Sequence, residues 1–285
     1  MPELPEVETV RRGLMLSLPG EEVACVEVLR SQSIGFPKAS LFEKKLPGHR
    51  FLDIERRGKY LLFNLSNDAG LACHLRMSGR LLLVDGEAPT GRFLRINIKL
   101  KSGRELRFED MRVFGRLWYK APGQSFGDVI PTLNELGVEP LDGLTGSNLK
   151  TLFKGKKQSI KTALLDQRTI AGVGNIYADE SLFRAGIHPQ TEAGRLKLPQ
   201  LDRLALEIKS VLEKAIELGG STLRDYTDSS GVNGNYQHSS LVYGRTGKPC
   251  HVCKSAIKRV RLGGRSTHFC PKCQKLKVSR TLKES

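Results

Sequence analysis

The sequence predicts an α+β chain with an N-terminal antiparallel β-sandwich flanked by helices, a helical domain holding a helix-two-turn-helix, and a C-terminal β-hairpin zinc finger. Three observations carry this reading. Short apolar and β-branched runs, separated by Gly, Asp and Ser, fill residues 23–119. Apolar residues recur at helical spacing over residues 149–218. Near the C-terminus four cysteines stand as C-x2-C, sixteen residues, C-x2-C.

The first element is a helix over residues 5–16. Proline suits its first position, Glu6 and Glu8 complement the positive end of the helix dipole, and Val7, Val10 and Leu14 share one face. Strands are expected at 23–28, 60–63, 80–84, 94–98 and 117–119. Gly, Pro and Asp enrich the next stretch, so residues 1–122 read as a first domain and 123–146 as a linker. Helices follow at 149–153, 159–166, 175–185 and 201–218. The last carries Leu204, Ile208, Val211, Leu212 and Ile216 on one side and stops at Gly219-Gly220. A second domain is therefore expected over 147–240, ending in a mobile loop at 219–240, with the zinc hairpin over 241–285.

Lys plus Arg outnumber Asp plus Glu by 46 to 30, a formal charge of +16 on 285 residues. That excess fits a polyanionic partner, with nucleic acid the leading candidate and an anionic membrane the second. A hydrophobic fraction of 39% is enough for packed cores and argues against disorder. No stretch approaches the roughly 20 apolar residues of a membrane span, and the acidic start Met1-Pro2-Glu3 is unlike a secretory signal. A cytoplasmic protein is the expectation. Cys25 and Cys73 stand alone in apolar surroundings, which suits a reducing compartment and metal binding better than disulfides.

Cys250, Cys253, Cys270 and Cys273 have the spacing that lets two turns at the ends of a hairpin converge on one tetrahedral zinc ion. Four thiolates saturate the ion, so it supports the fold and performs no catalysis. Residues 245–285 hold twelve Lys or Arg against the single acidic Glu284, with Arg259, Arg261 and Arg265 between the cysteine pairs. Phosphate is their complement.

In the segment 170–180, Gly172 and Gly174 end one helix and Asn175 opens another, a juxtaposition that offers backbone N–H groups and an amide to an anion. At the start of the chain, trimming of Met1 leaves the secondary amine of Pro2 free. Such an amine titrates well below lysine, is partly neutral near pH 7, and attacks a sugar C1′ to give a Schiff base. Glu3 and Glu6 are its candidate acid and base partners.

Taken in order, Met-Pro-Glu-Leu-Pro-Glu-Val-Glu-Thr at the start, Arg57-Gly58-Lys59-Tyr60-Leu61, His74-Leu75-Arg76-Met77-Ser78-Gly79, the segment around Asn175 and the cysteine hairpin resemble formamidopyrimidine-DNA glycosylases over nearly the whole chain. The resemblance implies a bifunctional enzyme that excises oxidised purines, 8-oxoguanine and formamidopyrimidines, from duplex DNA and then nicks the strand by β- and δ-elimination. It makes Pro2 the nucleophile, Glu3 the acid that protonates the sugar ring oxygen, and Glu6 a supporting carboxylate. Lys59 becomes an acid in the elimination and a contact to phosphate, and Arg265, the fourth catalytic candidate, grips the phosphates beside the lesion and assists the last elimination step. Met77, Arg112 and Phe114 match side chains that fill the hole left by the extruded nucleotide. Lys156, Asn175, His74 and Tyr243 match further contacts to the DNA backbone, and residues 219–240 a cover over the flipped base. A monomer is expected, nucleoid-associated in the cytoplasm.

Two departures from the family pattern stand out. Arg92-Phe93-Leu94-Arg95 replaces a Lys-His-x-His stretch, so Arg92 or Arg95 would have to substitute for a histidine near Phe93. Ser78 stands where some relatives carry Glu. Two rival readings remain: a sister enzyme specific for oxidised pyrimidines, and a zinc-ribbon protein that binds nucleic acid without catalysis.

Overall fold

A computed structural model describes residues 2–221 and 234–276. The chain forms two compact units, Met1–Leu136 with Lys214–His238, and Gly137–Glu213 with Ser239–Ser285.

The first unit opens with α1 (Leu4–Met15), then β1 (Val23–Val28), β2 (Ile34–Phe36), α2 (Ala39–Lys45), β3 (Phe51–Arg57), β4 (Tyr60–Leu65), β5 (Gly70–His74), β6 (Gly79–Asp85), β7 (Leu94–Leu100), β8 (Arg104–Asp110), β9 (Arg116–Lys120) and the short α3 (Phe126–Val129). Two sheets result, one in the order β1-β7-β8-β6 and one in the order β2-β9-β5-β4-β3. Their inner faces share one core. Val26, Ile96, Ile98, Leu106 and Phe108 come from the first sheet, Ile54, Leu61, Phe63, Leu71 and Leu117 from the second, and Val7, Val10, Leu14 and Phe42 from the flanking helices. Each such side chain contributes about 1.5–3 kcal/mol on leaving water. The predicted sandwich stands, with one difference: β2 pairs with β9 in parallel, although the other strand pairings of these two sheets are antiparallel.

Residues 123–146 do not behave as a free linker. Val129, Ile130 and Leu133 pack with Tyr60, Leu62 and Ala72, because the second sheet carries apolar residues on its outer face as well, and α3 with the turn after it covers them. The expected boundary at 240 shifts too. The described residues 214–221 and 234–238 belong with the first unit, since the N–H of Ser221 donates to Glu6 Oε1 at 2.7 Å and the N–H of Tyr236 to the carbonyl of Gly220 at 2.9 Å. Of the loop expected at 219–240, residues 222–233 lie outside those described. Its two stems are joined by a bridge between Ser221 and Asn235.

The second unit contains α4 (Gly146–Phe153), α5 (Ile160–Leu165), α6 (Asn175–Ala185), the greater part of α7 (Leu198–Glu217), and a hairpin of β10 (Lys258–Leu262) and β11 (Arg265–Phe269). Thr145 and Ser159 cap α4 and α5 through their hydroxyls. Between α5 and α6 the side chain of Gln167 accepts from the N–H of Gly172 and donates to the carbonyls of Leu165 and Val173, which fixes the double turn. The hairpin turns at Gly263-Gly264, with φ of 53° and 74°, the backbone a two-residue primed turn demands.

Candidate active site

Of the four residues expected to be catalytic, the first unit holds Pro2, Glu3 and Lys59, and the second holds Arg265. Pro2 is buried, Glu3 is 2% exposed and Glu6 1% exposed. Glu3 is the N-cap of α1, and it forms a capping box with Glu6 in which the Glu3 N–H donates to Glu6 Oε2 at 2.8 Å. The other oxygen of Glu6 takes the N–H of Ser221. One carboxylate thus ties the start of the chain to Ser221. A Cβ on Gly220 would stand 2.9 Å from Glu6 Cγ, and its φ is 78°, so glycine alone allows this approach. The helix is anchored from below: Glu8 accepts from Arg11, Arg12 and Arg56, the last from β3.

Lys59 sits in the two-residue turn between β3 and β4, where Gly58 at φ 56° makes the tight reversal possible. Lys59 is only 7% exposed. Next to it, Tyr60 pairs with His74 on β5, and the two rings meet edge to face at 4.5 Å. His74 Nδ1 accepts the N–H of Arg76 at 3.0 Å, which leaves Nε2 as the donor. Burial first, then the charges of Arg76 and Lys59, push the imidazolium form of His74 down to a pKa of about 3. The ring is therefore a neutral donor at physiological pH.

A pH dependence follows. The folded pKa lies below the ordinary value of about 6.5, so the unfolded chain binds the extra proton and stability is lost as pH falls from 6.5 toward 3. Between pH 7 and pH 5 this amounts to about 2 kcal/mol. In urea unfolding at the two pH values, His74→Gln should lose less stability than the parent chain by about that amount; equal losses would contradict the assignment.

Met77 is 40% exposed and Phe114 47% exposed, on the loops after β5 and β8, and the guanidinium of Arg112 lies 4.9 Å from the Phe114 ring centroid. These three expected void-fillers therefore belong to the same unit as Pro2, Glu3, Glu6, Lys59 and His74. Of the two arginines considered near Phe93, Arg95 donates to the carbonyl of Asp110 at 2.7 Å, and Arg92 lies over the Phe93 ring at 4.6 Å.

Lys156, Asn175, Tyr243, Arg265 and the cysteines lie in the second unit. Arg265 opens β11 and is exposed, as are Lys258, Arg259 and Arg261 on β10. Asn175 is the first residue of α6, and its Nδ2 donates to the carbonyl of Ser266 at 2.9 Å, so its amide braces the hairpin. Lys156 Nζ donates to Thr169 Oγ1 at 2.8 Å. Tyr243 stacks edge to face on His268 at 4.9 Å.

Sequence reasoning missed the carboxylates that seat the hairpin. Asp179 on α6 is fully buried with Lys161 at 2.6 Å and accepts the backbone N–H of His268 at 2.9 Å. Glu180 accepts the N–H groups of Leu241, Val242 and Tyr243 at 2.8–2.9 Å. Burial raises the pKa of Glu180 and the neighbouring Asp179 adds to this, against the pull of those three donors. The signal available was the Asp179-Glu180 pair inside an otherwise apolar, Gly-rich motif.

The sulfurs of Cys250, Cys253, Cys270 and Cys273 all lie within 4.8 Å of one another, with Cys253 to Cys270 at 3.3 Å and Cys250 to Cys273 at 3.9 Å. A tetrahedral zinc with bonds near 2.3 Å needs sulfurs about 3.8 Å apart. The four fit it.

Residues 1–117 match the formamidopyrimidine-DNA glycosylase N-terminal domain, and residues 136–227 match the formamidopyrimidine-DNA glycosylase H2TH domain. The chain belongs to the formamidopyrimidine-DNA glycosylase family. Residues 247–276 match the zinc finger found in FPG and IleRS, and the four cysteines of this family member hold one structural zinc ion. It is 53% identical over 282 residues to the formamidopyrimidine-DNA glycosylase of Gloeobacter violaceus, covering 98% of this chain and 99% of the relative. A solved mutant of Lactococcus lactis FPG in complex with Fapy-dG-containing DNA is 35% identical, with a TM-score of 0.89 and coverage of 96% of this chain and 100% of that one. The wild-type Lactococcus lactis FPG in complex with oxidised-pyrimidine DNA is also 35% identical, with a TM-score of 0.87 and the same coverage. The family expected from the motifs and the family found by comparison agree.

Proposed function

We propose that this chain is a DNA repair glycosylase and abasic-site lyase that excises oxidised purines, chiefly 8-oxoguanine opposite cytosine and formamidopyrimidines, from duplex DNA. One observation carries the reading: in a member of this family, Pro2 is buried with the carboxylates of Glu3 and Glu6 at the head of α1.

Once Met1 is removed, the Pro2 nitrogen attacks C1′ of the extruded nucleotide. Glu3 protonates the ring oxygen as the sugar opens and the base leaves, giving a Schiff base between Pro2 and C1′. Glu6, which accepts two backbone N–H groups, fixes the helix head beside the Pro2 amine. With the iminium as electron sink, loss of the C2′ proton to water expels the 3′ phosphate and loss of the C4′ proton then expels the 5′ phosphate, with Lys59 as acid and Arg265 holding phosphate and assisting the last elimination. His74, a neutral donor, and Lys156, Asn175 and Tyr243 contact the backbone. Met77, Arg112 and Phe114 fill the vacated stack. Zinc stabilises the hairpin that presents Arg265 and supplies no chemistry to the reaction. The enzyme acts as a monomer in the cytoplasm, at the nucleoid.

The test is incubation with a duplex containing 8-oxoguanine opposite cytosine. Release of the base, with nicks bearing phosphate at both ends, is expected. An intact 8-oxoguanine duplex alongside nicking of a thymine glycol duplex would instead assign the chain to oxidised pyrimidines. Binding without release of any base would assign it to nucleic-acid binding alone.

A further inference from the structure

We propose that Asp110 is a positioning residue that locks the Met77 loop and the Arg112–Phe114 loop into a single wedge. This rests on reading Met77, Arg112 and Phe114 as the side chains that replace the extruded nucleotide.

The two loops present exposed apolar side chains: Met77, Phe114 and also Met111, which is 46% exposed. A wedge of this kind works only if its backbone is already set, because ordering it on binding would consume the gain from contact. Both backbones are in a conformation that side chains ordinarily avoid. Arg76 has φ of 55° and Val113 has φ of 56°, the latter a β-branched residue in the left-handed region. Such residues persist only where the surroundings over-determine them.

Asp110 does this for both loops at once. It closes β8, is 0% exposed, and directs its carboxylate between them. Oδ1 accepts the Ser78 hydroxyl at 2.5 Å from the Met77 loop and the Arg112 N–H at 3.1 Å from the other. Oδ2 accepts the Gly115 N–H at 2.7 Å. The Ser78 oxygen in turn accepts the Arg112 N–H at 3.1 Å, so the loops are also joined directly. The main chain of Asp110 is held as well: its N–H donates to the carbonyl of Phe93 at 2.9 Å, and its own carbonyl accepts from Arg95. Glycine at 115 belongs to the same device, since a Cβ there would stand 2.5 Å from Phe108 Cζ and 3.2 Å from Asp110 Oδ2. The serine that departs from the Glu of some relatives at position 78 is thus the hydroxyl that completes the lock.

In Asp110→Asn the amide nitrogen must face the N–H of either Arg112 or Gly115, donor against donor, and the Arg112–Phe114 loop loses one of its ties to the wedge. A loosened wedge should handicap extrusion of a stacked, paired base far more than chemistry at a site that has already lost its base. Single-turnover rates on two duplexes read this difference. Excision of 8-oxoguanine opposite cytosine should fall about 30-fold, and nicking of a preformed abasic site less than about 3-fold. Ser78→Ala, which deletes only the bridging hydroxyl, should show the same skew at about 5-fold, and it carries the test if Asp110→Asn does not fold. Equal losses on the two duplexes, or none on either, would overturn the positioning role. If the parent chain nicks neither duplex, the functional reading itself fails, a result distinct from an active parent whose variants show no skew.

Discussion

Glu3→Gln should slow release of 8-oxoguanine by about 1,000-fold, the range expected when a positioned general acid is lost. Glutamine is nearly isosteric and keeps an acceptor at the N-cap, so α1 should lose no more than about 1 kcal/mol of stability. Glu6 still accepts the N–H of residue 3 and that of Ser221. The variant is therefore expected to fold and to bind an abasic-analogue duplex, which separates loss of the proton from loss of the site. Excision at a rate within about 10-fold of the parent would show that protonation of the sugar comes from elsewhere.

The second large effect concerns zinc. A two-stranded hairpin is marginal by itself, and β10 with β11 depends on the ion bound by Cys250, Cys253, Cys270 and Cys273. Without it, Arg259, Arg261 and Arg265 lose their common scaffold. Charged contacts to phosphate contribute about 1.5 kcal/mol or more each, so Cys270→Ser or prolonged chelation should weaken duplex binding by at least about 100-fold. Base release should fail with it at low enzyme concentration. The sandwich has its own core and should retain its thermal transition. Retained DNA affinity after verified loss of the metal would show that the hairpin contributes little to binding.

Much of this was legible in the sequence where side-chain pattern and structure coincide. The helix at Asn175–Ala185 could be bounded from its flanking glycines, and the β1 run from its apolar and β-branched residues. Strand β8 could not. Glu105, Arg107 and Glu109 make it look like an exposed polar segment, yet all three are buried, with Arg107 paired to Glu105 and Arg80 to Glu109. Strand β5 is short and buried at every position, so it has no alternation to detect. The stretch after β9 reads as a linker by composition, although three apolar residues within it find a sheet face.

The site divides in the same way. The cysteines are readable from their spacing and Pro2 from its amine, whereas Lys59 and the role of Glu3 stand in spellings that the family resemblance made readable. Asp110, Asp179 and Glu180 do not, because their partners include backbone N–H groups at Gly115, His268 and residues 241–243, and backbone donors leave no mark in a sequence. What these three carboxylates hold is known only once the chain is folded.

Covalent bonding of the Pro2 nitrogen to DNA is read out by borohydride reduction during the reaction with an 8-oxoguanine duplex, followed by mass mapping of the cross-linked peptide. Attachment at Pro2, in a chain lacking Met1, is the expected result. Attachment at Lys59, or nicking by a chain that retains Met1, would contradict it.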